Sequence, residues 1–157
     1  MMKTVSISIP KKDVLLQVNL RNYYAGESAK QGDTMEMATK MQTSEDNFDV
    51  LNKYVSSACS KLVDVLNPVS VDVEFTEKTG DNSEVTLDYT IKVSDLYAES
   101  QNDVIKAGAF EYLVNWAIFE WLTLAFPSAS QQFFQRCQLI EEGIRARINK
   151  RLKPTEK

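Results

Sequence analysis

Apolar and polar positions along this chain follow two periods, and the switches between them mark its elements. Val5, Ile7 and Ile9 alternate with Thr4, Ser6 and Ser8, which predicts a short strand over residues 3–9. Pro10 ends it and can open a helix. Val14, Leu15 and Val18, joined by Leu16 and Leu20, give that helix an apolar face to about Tyr24, with Gly26 as its stop. Residues 27–43 hold Gly32 and the unevenly spaced Met35, Met37 and Met41, so no period is readable. The default reading there is a solvated loop. The alternative is an ordered arm on a neighbouring subunit, since methionine suits adaptable contacts and long structureless loops are uncommon.

The helical period returns at Phe48, Leu51, Val55, Ala58, Cys59, Leu62 and Leu66, widened by Tyr54 and Val63. Ser44 can cap this helix, Glu45 and Asp46 suit its first turn, and Asn67-Pro68 ends it. Residues 69–94 then alternate. Val69, Val71, Val73 and Phe75 answer Val85, Leu87, Tyr89, Ile91 and Val93 across a turn in residues 78–83. This predicts a β-hairpin with one apolar face, whose edge the N-terminal strand can join. Two strands alone are marginal, so helices should cover that face. A polar connection, residues 95–102, leads to a cap at Ser100, Gln101 or Asn102.

Residues 101–152 read as a helical hairpin broken at Pro127, with Ser128 or Ser130 capping its second helix. In that helix Phe133, Cys137, Ile140, Ile144 and Ile148 form one stripe, with Phe134, Leu139 and Leu152 beside it. Glu141 and Arg145 are four apart in the favourable order. The first helix is different. From Ala109 to Phe126 it is apolar on both flanks, with Glu111 and Asn115 on one side and Glu120 nearly opposite. A surface helix of a small monomer shows one apolar stripe. This one needs neighbours on several sides, some from another copy of the chain. A membrane span is the poorer reading, because each acid at mid-membrane costs roughly 2.5–3.5 kcal/mol. The fold class that follows is α+β, mainly α. It has four helices with a C-terminal helical hairpin, a β-hairpin and a short N-terminal strand, in one domain over residues 1–157.

Charge sharpens this picture. The chain carries 18 basic and 22 acidic residues, a net −4 that argues against coating nucleic acid. Residues 70–95 hold seven acids and two bases, while residues 136–157 hold seven bases and three acids. The two ends of the molecule are therefore expected to differ in sign. Solvation and the helix dipole account for this separately; complementary surfaces between copies or with a partner are the functional alternative. The two cysteines, Cys59 and Cys137, each lie on an apolar helix face and are expected as buried, reduced thiols. No secretory signal is expected at the N-terminus, which lacks an apolar run before its strand.

Little in the sequence suggests chemistry. Histidine, the usual general base and metal ligand, does not occur in the chain. There is no phosphate-cradling glycine motif and no metal-ligand spacing. Glu111 and Glu120 face apart, unlike a carboxylate pair sharing a substrate. Each is better read as a buried acid satisfied by Lys, Arg or a tyrosine hydroxyl. Trp116, Phe119 and Trp121 could line a cofactor pocket, but core packing or a subunit contact suits them better. No enzyme, cofactor or metal is expected.

The order of elements, with the segment EYLVNWAIFEWLTLAFPSASQQFFQRCQLIEEGIRARINKRLKP, resembles the head–tail connector, or adaptor, proteins of tailed phages. The shared pattern is an aromatic helix before a Trp-Leu pair (Trp121-Leu122), a marked turn (Pro127) and a helix ending in a basic tail (Lys150-Arg151-Leu152-Lys153-Pro154). The front half, with ISIPKKDVLLQV and Tyr24-Ala25-Gly26, is similar in layout. The resemblance implies a structural virion protein, made in the host cytoplasm. It would form a homomeric ring, commonly twelvefold, between the portal protein and a downstream tail or neck protein, with DNA only passing through the channel. Trp116, Phe119, Glu120 and Trp121 become candidates for the oligomer interface. Arg147, Lys150, Arg151 and Lys153, with the tail at 153–157, become candidates for the portal contact. Asp72, Glu74 and Asp88 become candidates for the channel or next-ring contact. A tail terminator or head-completion protein is the alternative in the same region. A cytosolic helical module that takes a partner peptide or protein in a groove is the alternative from another class.

Overall fold

The computed structural model describes residues 2–29 and 48–150. The chain begins with β1 (Lys3–Pro10), which runs straight into α1 (Lys11–Ala29). Next come α2 (Phe48–Leu66) and a single 3-10 turn (Asn67–Val69), then the hairpin of β2 (Asp72–Thr79) and β3 (Val85–Val93). A second 3-10 turn (Glu99–Gln101) opens α3 (Asn102–Ala125), and α4 (Pro127–Ile148) follows. This is the expected α+β, mainly helical architecture, with four helices among the described residues. The expected loop or arm at 27–43 and the Ser44 cap lie mostly or wholly outside the described residues.

The sheet is antiparallel throughout, in the order β1-β3-β2. β1 therefore joins the return strand of the hairpin, pairing Val5 with Ile91 and Ile7 with Tyr89. Alternation then places Val5, Ile7 and Ile9 with Leu87, Tyr89, Ile91 and Val93 on one buried face. The hairpin is shorter than its apolar pattern suggests. Val69 belongs to the 3-10 turn and Val71 is 62% exposed ahead of the strand. Pro68 explains the offset, because it extends the end of α2 by a 3-10 turn before the chain can become extended. At the other end Gly80 N–H donates to Glu84 O (2.8 Å) and Ser83 N–H to Gly80 O (3.0 Å). Ser83 takes up a left-handed φ of 59°, the position in such a turn that favours glycine.

α3 sits at the centre of the molecule. It meets β1, α1, α2 and α4, which is why its buried residues, among them Tyr112, Leu113, Val114, Ala117 and Ile118, point in all directions. The apolar girth that pointed to another copy is thus served first by the chain's own elements. α4 returns along α3 as a close partner. Gly108 makes the approach possible, since a Cβ there would lie 3.0 Å from Ile144 Cγ1. Phe126 is the hinge, with φ −153° and ψ 79°, and Pro127 is the first helical residue of α4.

Several sequence expectations about helix ends need correction. α1 runs past Gly26 to Ala29, and no described glycine has a positive φ. A helical glycine costs about 1 kcal/mol relative to alanine, which weakens a helix without stopping it. Neither Ser128 nor Ser130 caps α4. Proline at the first position removes one orphan N–H, and the Ser130 hydroxyl donates back to Pro127 O at 2.8 Å. Gln101 takes the N-cap position of α3 without a side-chain cap bond. Leu16 and Leu20 are largely exposed, leaving Val14, Leu15 and Val18 as the buried face of α1.

The connection at 95–102 is more than polar linker. Tyr97 is fully buried, and its hydroxyl shares a 2.7 Å hydrogen bond with Asn102 Oδ1. The Tyr97 carbonyl accepts from Lys3 Nζ (3.0 Å), and Ala98 N–H donates to Lys150 O (3.2 Å). These bonds fasten the C-terminal end of α4 beside the start of β1.

Candidate functional site

α3 presents a different polar partner on each flank. Towards α1, the Glu111 carboxylate accepts two bonds from Arg21, both 2.8 Å, in a bidentate pair. Asn115 Nδ2 donates to the Glu111 carbonyl (2.7 Å) and to its carboxylate (3.4 Å). The Arg21 hydrogen bonds hold the Glu111 carboxyl below the usual carboxylate range, against a partial desolvation that acts the other way. Asn115 is buried, and its Oδ1 accepts no bond from the protein. Towards α2, Glu120 Oε1 accepts from Ser57 Oγ (2.6 Å) and from Trp116 Nε1 (2.8 Å).

Glu111 and Glu120 therefore do face apart. The arginine partner of Glu111 is of the expected kind, and the serine and tryptophan partners of Glu120 are not. The reason is local. Trp116 lies one turn before Glu120 on the same helix, and Ser57 sits at the contact of α2 with α3.

The aromatic candidates gather into one cluster. Trp116 stacks on Tyr112 (centroids 6.0 Å apart, planes at 12°) and meets Phe119 at 5.2 Å. Phe134 of α4 closes the group, 6.4 Å from Trp116 and 5.2 Å from Phe119. Lys61 Nζ lies over the Trp116 ring at 5.7 Å. Tyr112 is buried, while Trp116, Phe119 and Trp121 are half-buried against the core. Beside this cluster α2, α3 and α4 leave a cleft of about 270 Å³. Its floor is Tyr112, Trp116 and Phe134, and its rim includes Lys61, Asp64, Glu141 and Arg145. Burial pushes the Tyr112 hydroxyl well above its usual range, so it stays protonated there. The cleft can seat an apolar side chain between charged rims.

Of the candidate portal-contact residues, Arg147 and Lys150 are exposed. Arg147 Nη1 donates to Gln101 Oε1 (3.1 Å), and the carbonyl of Lys150 is held by Ala98. Arg145 Nε donates to Val65 O (3.0 Å), near the C-terminus of α2, and Arg145 pairs with Glu141 at 2.9 Å. A cation at a helix C-terminus is favourable. Arg151 and Lys153 lie outside the described residues.

Asp72, Glu74 and Asp88 do share one surface, the outer face of the sheet, with Lys78 and Lys92 among them. Asp88 accepts from Ser8 Oγ (2.6 Å) and lies 3.7 Å from Lys78 Nζ. With three carboxylates against two lysines, this face is weakly acidic. The acids that set the hairpin's larger negative sum lie elsewhere, at Glu77, Asp81, Glu84 and Asp95. The expected separation of charge holds in part: Glu77, Asp81 and Glu84 lie at the turn end of the sheet, while Asp72 and Asp95 lie at the end where β1 begins. The basic end of α4 packs beside the end of the sheet where β1 begins, through the Ala98–Lys150 and Lys3–Tyr97 bonds.

Cys59 and Cys137 are both buried and carry free thiols. Burial raises them to about 11 and about 12. No group of three or more metal-ligating side chains gathers among the described residues, and no described helix is long and apolar enough to cross a membrane. No protein-family model, curated protein or solved structure matches this chain.

Proposed function

We propose that this chain is a structural subunit that works by self-association, a head–tail connector of a tailed phage that forms a homomeric ring between portal and tail. One observation carries the reading. After the chain has covered α3 with four of its own elements, apolar surface remains outside the core. Trp116, Phe119, Trp121 and Phe126 are only half-buried, and Leu124 on the same helix is 75% exposed. Leu16, Leu20 and Tyr23 line one face of α1 at helical spacing, and Leu139 stands 69% exposed on α4. Scattered exposed leucines need no explanation, but apolar residues repeated along helix faces mark contact surfaces.

In this reading the half-buried rings of α3 border a subunit contact. Arg147 and Lys150, with Arg151 and Lys153, serve the portal contact. The outer sheet face bearing Asp72, Glu74 and Asp88 looks to the channel or the next ring. A weakly acidic lining releases no counterions from DNA and so lets it slide. The cleft floored by Tyr112, Trp116 and Phe134 favours a second reading, a module that takes a partner helix by one apolar anchor. Electron microscopy of the purified protein, alone and mixed with portal protein, separates the two. Ring-shaped particles support the connector. Dispersed monomers under both conditions, with an apolar helical peptide bound in the cleft, support the module.

A further inference from the structure

The apolar layer of the sheet stops short of one edge. On β1 the residues Val5, Ile7 and Ile9 are buried, as are Leu87, Tyr89, Ile91 and Val93 on β3. On β2 the same face carries Val73 and Phe75, which are only half-buried, and the exposed Val71 precedes them. Among the described residues that edge is open in hydrogen bonding as well. The Gly80–Glu84 bond closes the hairpin, and stepping by two from it makes Lys78–Thr86, Thr76–Asp88, Glu74–Thr90 and Asp72–Lys92 the bonded pairs. The backbone groups of Val73, Phe75 and Glu77 therefore point away from β3. By the same alternation those of Thr4, Ser6 and Ser8 point outward from β1. Pro10 shares their phase, so its missing N–H breaks no ladder bond.

The two open edges are complementary. β1 and β2 both run antiparallel to β3 and hence parallel to each other. The small rotation between neighbours of a many-membered ring nearly preserves strand direction, so β2 of one copy can meet β1 of the next in parallel. We infer that β2 takes β1 of a second copy, head to tail, as an added strand. The inference rests on the self-association reading above. Setting Phe75 beside Ile7 of the second copy brings Val73 to Val5, which extends the apolar layer over the half-covered residues. On the outer face Asp72 and Glu74 come beside the hydroxyls of Thr4 and Ser6. The sheet already makes one such pair, Ser8 with Asp88 at 2.6 Å. A symmetric β2–β2 pair would leave β1 open and close no ring.

The test is a chain carrying both Glu74→Cys and Ser6→Cys, treated with a short bismaleimide. The native thiols are buried and stay unlabelled. The expected result is a ladder of covalent multimers on a denaturing gel, with no ladder from either single substitution. Adding Val73→Pro, which removes an outward N–H and no bond to β3, should abolish the ladder while circular dichroism stays unchanged. A folded double-cysteine protein that gives no ladder overturns the inference. If its native mass is nevertheless multimeric, self-association stands and runs through another surface. If its mass is that of one chain at every concentration, the reading beneath it fails as well. Covalent dimers from Thr76→Cys alone would show the symmetric pair instead and also overturn it.

Discussion

Glu120 separates a role inside the chain from one between chains. Its Oε1 accepts from Ser57 Oγ at 2.6 Å and Trp116 Nε1 at 2.8 Å, so it joins α2 to α3. A hydrogen bond to a charged group contributes about 1.5–3 kcal/mol when well buried. Trp116 and Glu120 are half-buried, so water replaces part of each bond, and about 0.5–1 kcal/mol apiece remains after that discount. Glu120→Leu should then cost about 1–2 kcal/mol, and Glu120→Gln, which keeps an acceptor oxygen, less than about half of that. For a chain of this size each kcal/mol lowers Tm by roughly 2–4 °C, giving a fall of about 2–8 °C for the leucine variant. The assay is thermal unfolding by circular dichroism at a concentration low enough to keep the chain dispersed. Tryptophan emission should also change, because the Trp116 indole N–H loses its acceptor. A leucine variant that melts with the wild type, with unchanged emission, would refute the argument that this carboxylate braces the fold.

Other changes test the packing and electrostatics. Gly143 has open space where a Cβ would go, so Gly143→Ala should stabilise the chain by about 0.5–1 kcal/mol through helix propensity. Gly108 faces Ile144 Cγ1 at 3.0 Å, so Gly108→Val should cost about 1–3 kcal/mol by overpacking α3 against α4; urea midpoints of the two variants check both signs. Because the Glu111 carboxyl is depressed by Arg21, its contribution is present above the unfolded carboxylate pKa of about 4.3 and is lost as pH falls through the lower folded value. Melting curves from pH 7 to 3 should show wild type and Arg21→Gln converging in acid, and a constant gap would contradict the pairing. The thiols of Cys59 and Cys137, raised to about 11 and about 12 by burial, should react with a thiol reagent at pH 8 only as fast as the chain opens. Rapid labelling of the native protein would contradict that burial.

Periodicity made the helices and strands legible because burial selects the same residues that the pattern selects. Leu51, Val55, Ala58, Leu62 and Leu66 were readable as the inner face of α2, and Val5, Ile7 and Ile9 as that of β1. Ends were less legible, because a glycine or proline states only a local cost. Gly26 is absorbed by α1, and Pro68 spends its effect in a 3-10 turn rather than starting the strand. The polar partners were not legible. Arg21 and Glu111 are ninety positions apart, and the Arg145–Val65 bond spans eighty, so neither can be read from local spacing. Tyr97 lies in a polar stretch with no period to mark it as core. The aromatic cluster was half legible. Trp116 and Phe119 share a helix, but Phe134 joins them only through the turn at Pro127.

The central claim is that one copy of this chain leaves apolar surface that another copy covers. Light scattering coupled to gel filtration over a hundredfold range of protein concentration tests it most directly. The account predicts a mass rising from that of one 17.8 kDa chain to a fixed, high multiple, as a closed ring requires. A mass that stays at one chain throughout, with the exposed leucines intact, would contradict it.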